Sequence, residues 1–134
     1  MQGINRTLVV PPITAHEYAR SEVADLKVKT IAAARAIKST ARHLVTEALG
    51  QVQNAPDVNV EALAEAIICV AWAKRRTESY GGADHATDVW TVWTVSAVFW
   101  LSPFTHNTIH SLANQLVPVL NTYSALEREL GRLA

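Results

Sequence analysis

The chain predicts an all-α fold: an extended N-terminal arm, a long basic helix, then a compact helical bundle that ends in an amphipathic helix. Three observations carry this. A helix-start signal at Thr14 is followed by about 35 residues without a glycine or proline, up to Gly50. A heptad-spaced apolar seam runs from Ile109 to Leu133. No segment alternates apolar and polar residues over the length a strand and its partner would need. With 134 residues, 49% of them hydrophobic, and few glycines or prolines, the chain is long enough for one ordered domain with a real core. Residues 1–50 are read as arm and long helix, and 51–134 as the bundle.

The first thirteen residues read as an arm, because Pro11 and Pro12 fix their own φ and push the residue before each toward extended geometry. Its apolar strip, Leu8 to Val10, can fold back on its own domain or lie across a neighbouring subunit. The apolar run is too short for a signal peptide, and no export is expected. "TAHE" at Thr14–Glu17 fits a capping box, in which hydroxyl and carboxylate satisfy free N–H groups at a helix start. The helix that follows would be roughly 50 Å long at 1.5 Å per residue. That exceeds the width of a domain this size, so it is expected to kink or project.

After the loop "NAPD", Asp57 or Asn59 can cap a second helix whose apolar positions include Leu63, Ile67 and Val70. Lys74, Arg75 and Arg76 are placed near its C-terminal turn, where positive charge opposes the helix dipole, before "YGGAD" closes it. "TDVWTVWTVSAVFWLSP" is read as a buried helix that groups Val89, Trp93, Ala97 and Trp100 on one side. It is too short and too interrupted by Thr and Ser to span a membrane. A last helix can start with Ser102 as cap and Pro103 in its first turn. Its seam is Ile109, Leu112, Leu116, Val119, Tyr123, Leu126, Leu130 and Leu133, and Pro118 must kink or split it.

Twelve cations balance twelve acids, yet no Asp or Glu stands between Leu26 and Thr46, where five cations do. On a helical projection Arg20, Lys27, Arg35, Lys38 and Arg42 fall within a sector of roughly 60° to 80°, with Lys29 off the stripe. The apolar or small residues Val23, Leu26, Thr30, Ala33, Ile37, Ala41, Leu44 and Ala48 occupy a second sector about a third of a turn away. One side can pack while the other presents cations. A solvated face normally mixes signs so that neighbours three and four apart attract. This one lacks the acids, which makes an external anion favourable. A polyphosphate backbone fits, since each neutralised phosphate releases counterion without reading sequence. Recognition-helix spacing, zinc fingers and aromatic RNA-binding motifs are missing, so packaging fits better than regulation. About five contacts per subunit bind weakly, so many copies must act together.

The Pro-bearing arm "LVVPPIT", the long alanine-rich basic helix and the helical region ending in an amphipathic helix together resemble the α-helical coat proteins of rod-shaped and filamentous archaeal viruses. The resemblance is architectural and covers most of the chain. It implies paired subunits that wrap basic N-terminal helices around double-stranded DNA, hold it in A form, and pack their C-terminal regions outward. It implies a virion protein, assembled in the host cytoplasm with itself or a related coat subunit. It assigns Arg20, Lys27, Arg35, Lys38 and Arg42, with Lys29 beside them, to DNA, and Trp90, Trp93 and Trp100 to packing.

Other constellations are weaker. His106 and His110 can share a helix face, but with no acid between them and no third ligand nearby they are not read as a metal site. Cys69, the only cysteine, lies on an apolar helix and is expected to be a buried, inert thiol. No nucleophile motif or phosphate loop is present, so neither an enzyme, a cofactor nor a small-molecule substrate is expected. The alternative function is a small helical adaptor or inhibitor of the phage accessory type, binding a protein through its heptad face or an exposed Trp patch.

Overall fold

A computed structural model of the chain describes residues 15–53, 57–80 and 102–133. Among the described residues there are three helices and no strand: α1 (Ala15–Gly50), α2 (Val60–Tyr80) and α3 (His106–Leu133). The all-α expectation holds. The arm, Thr14 of the capping box and the Trp-rich segment through Leu101 lie outside the described residues.

α1 runs without interruption over its 36 residues. The chain leaves it by two short i→i−3 turns, Gln51 N–H to the Ala48 carbonyl at 3.2 Å and Val52 N–H to that of Leu49 at 3.1 Å. Asn59, rather than Asp57, caps α2: its Oδ1 accepts from the Ala62 N–H at 3.1 Å while its carbonyl accepts from Leu63 at 3.1 Å. α3 begins later than the "SPF" signal suggests. Thr105 caps it, accepting from the Thr108 N–H at 3.2 Å, while Ser102 holds a bend by accepting from the Phe104 N–H at 3.3 Å. The bend places Phe104 in the core, and this burial wins over an earlier helix start. Pro118 does not split α3. It is exposed, as is Asn114 four residues before it, so the carbonyl it leaves without a helical donor can be solvated.

α3 packs on both α1 and α2, and α1 packs on α2. α1 and α3 are antiparallel: Leu44 to Gln51 lie beside Asn107 to Gln115, and Ala19 to Lys27 beside Leu133. The shared core takes Ile37, Ala41 and Val45 from α1, Leu63, Ile67 and Val70 from α2, and Ile109, Leu112, Leu116 and Leu120 from α3. The heptad seam is therefore closed over its first half only. From Val119 onward its residues, like Val23 and Leu26 on α1, stay partly exposed. At that end, among the described residues, α1 lies against α3 alone, which is where the basic face stands.

Candidate nucleic-acid interface

All six predicted contact residues, Arg20, Lys27, Lys29, Arg35, Lys38 and Arg42, are exposed on α1. Their environments differ. Lys29 pairs with Asp25 one turn earlier, Nζ to Oδ2 at 3.2 Å, on the flank away from the stripe. Lys38 and Arg42 both turn to Glu61, in the first turn of α2: Lys38 Nζ lies 3.9 Å from one carboxylate oxygen, and Arg42 Nε donates to the other. Glu61 suits that position, because a carboxylate there also meets the positive end of the α2 dipole. Arg20, Lys27 and Arg35 form no ion pair or hydrogen bond among the described residues.

These three stand at intervals of seven and eight residues, about 10 and 12 Å along the axis. Among the acids of α1, Glu17 stands three residues before Arg20 on the cationic side, and the others lie elsewhere. Asp25 holds Lys29, and Glu22 faces Arg132 of α3, contributing to a guanidinium pKa raised mainly by hydrogen bonding to Glu129. Beyond Glu17 the signs on α1 are thus sorted by face, although the total charge is zero. Apolar side chains share the cationic side: Val28 and Ile31 are 66% and 53% exposed. A shallow groove between α1 and the end of α3 is floored by Ala19, Val23, Ala24 and Leu133, with Arg20 and Lys27 on its wall.

The "KRR" cluster is not a helix cap. α2 continues to Tyr80, so residues 74–76 stand before its last turn, and they engage α3 instead. Lys74 is only 8% exposed, because position 74 continues the core-facing series Ile67, Val70 and Ala71. Its ammonium donates to His110 Nδ1 at 3.0 Å. An ammonium can only donate, so the proton of His110 sits on Nε2 and is given on to His106 Nε2 at 3.0 Å. No group of three or more His, Cys, Asp or Glu side chains that could hold a metal ion occurs among the described residues. Arg75 donates to Asn121 Oδ1 at 2.8 Å and lies over the Trp72 ring, 5.7 Å from its centroid.

Cys69 corrects the buried-thiol expectation: it is exposed, because position 69 falls on the outer side of α2 beside Glu65 and away from Ile67 and Val70. Sequence reasoning missed Glu61, which faces the stripe from another helix. The missed signal was its place in the first turn of α2, directly after a loop that returns the chain to α1. No helix among the described residues is long and apolar enough to cross a membrane. Comparison of the chain with protein-family models, with curated proteins and with solved structures gives no match.

Proposed function

We propose that this chain is a structural coat protein that packages double-stranded DNA by sequence-independent backbone contacts, as one subunit of a helical assembly. The observation that carries it is the row of Arg20, Lys27 and Arg35, exposed, unpaired among the described residues and on one side of α1. Like charges in a row repel, and a row of phosphates relieves that repulsion while releasing counterions. Ala24 beside the row leaves room for close approach of a bulky backbone. Three contacts per subunit hold DNA weakly at physiological salt, so affinity comes from many copies on one polymer. The copies are self or a related coat subunit, the assembled protein belongs to the virion, and assembly takes place in the host cytoplasm. No cofactor, catalytic step or small-molecule substrate enters.

A second reading, a protein-binding helical adaptor, draws on Tyr18, Val28 and Ile31, large apolar side chains left more than half exposed on α1. Negative-stain imaging and light scattering with and without double-stranded DNA separate the two. DNA-dependent filaments are expected from the coat protein. A small species of fixed mass, indifferent to DNA, supports the adaptor and overturns the packaging reading.

A further inference from the structure

Glu61 stands where a phosphate would have to stand to reach the C-terminal part of the stripe. Its carboxylate lies between Lys38 and Arg42, one oxygen toward each, although all three side chains are about half exposed. Asn59 caps α2 just before it, and Leu63, fully buried just after it, anchors the helix start in the core. The carboxylate is therefore held in position by the fold rather than by the ion pairs alone. We propose that Glu61 is a built-in carboxylate competitor that withholds Lys38 and Arg42 from a polyanion and confines phosphate contact to Arg20, Lys27 and Arg35. This rests on the reading of the stripe as a phosphate-binding face, and it names the residue that sets how much of that face is used.

The proposal explains how one helix can carry five aligned cations in a neutral chain: two share one carboxylate from α2, which occupies the donors they would offer a phosphate, and three face outward. Removing the Glu61 charge frees a pair of cations one turn apart, in line with the other three. Phosphate contacts per subunit then rise from three to five. Each contact contributes about −0.9 to the slope of log affinity against log salt. The wild-type slope is then about −2.7, and that of Glu61→Gln about −4.5. A fourfold rise in salt weakens the wild type about 40-fold and E61Q about 500-fold.

The test is fluorescence anisotropy on a short duplex DNA of mixed sequence, over a low-salt series, with four full-length proteins: wild type, E61Q, K38Q/R42Q and E61Q/K38Q/R42Q. Circular dichroism checks that all four keep their helix content. The expected result is a steeper slope for E61Q alone, with the other three alike, since Lys38 and Arg42 contribute only once Glu61 is neutral. A wild-type slope already near −4.5 that E61Q leaves unchanged and K38Q/R42Q lowers overturns the competitor role while leaving the DNA reading intact. Failure of all four proteins to bind, E61Q included, overturns both.

Discussion

Truncating two leucines of the same heptad seam should have very different costs. Leu116 is fully buried in the shared core, whereas Leu130, two heptads on, stays partly exposed where, among the described residues, α3 meets only α1. Leu116→Ala loses the transfer free energy of a buried side chain, about 2 to 3 kcal/mol, and leaves a cavity that three packed helices cannot collapse. The expected cost is about 3 to 4 kcal/mol. Leu130→Ala loses less apolar burial, and water can fill the space, so about 1 kcal/mol is expected. An unfolding entropy of about 2.1 cal/mol/K per residue turns these costs into Tm losses of about 11 to 14 °C and about 4 °C for a chain of this length. Thermal and urea denaturation followed by far-UV circular dichroism, at dilution and without DNA, measures both. Equal losses would refute the reasoning, because Leu130 would then be as dry as Leu116 and the α1–α3 end of the bundle would not be open.

Two further outcomes follow from side chains the fold places at its surface. Cys69 is exposed, so a thiol reagent should label it in the native protein nearly as fast as in urea; protection until unfolding would contradict its outward position on α2. The Tyr123 hydroxyl donates to Glu127 at 2.9 Å, and that bond, with smaller contributions from burial and the carboxylate charge, raises its pKa above the ordinary value. The neutral phenol is the form favoured by folding. Its contribution is present below the ordinary tyrosine pKa of about 10 and is lost as pH rises through the folded value. Ultraviolet titration should show Glu127→Gln moving the Tyr123 step down; an unmoved step would sink this assignment.

Much of the fold was legible because it is written in local signals. Ala15–Gly50 follows a capping box and meets no breaker, Asn59 was one of two named caps, and the seam from Ile109 to Leu133 is a heptad pattern that only a helix satisfies. The start of α3 was misplaced because Ser102 and Pro103 look like a cap, while the burial of Phe104 depends on a core assembled from all three helices. The cationic stripe could be drawn from angular spacing alone. That Lys38 and Arg42 are held by Glu61 could not, since spacing within one helix says nothing about which side chains a second helix brings up. Lys74 shows the same limit. Its register with Ile67 and Val70 points inward, but the imidazole that accepts its hydrogen bond, on His110, is supplied from 36 residues away. Cys69 has apolar neighbours in sequence, but they lie on the inner side of α2 and the thiol on the outer, a distinction that needs the packing of all three helices.

The central claim is that Arg20, Lys27 and Arg35 bind the DNA backbone without regard to sequence. Replacing all three with Gln and measuring affinity for two duplexes of unrelated sequence across a salt series tests it most directly. The account predicts equal wild-type affinity for both duplexes, a slope of about −2.7, and near-complete loss of binding and of salt dependence in the variant. Unchanged affinity and slope in R20Q/K27Q/R35Q, with helix content retained, would contradict it.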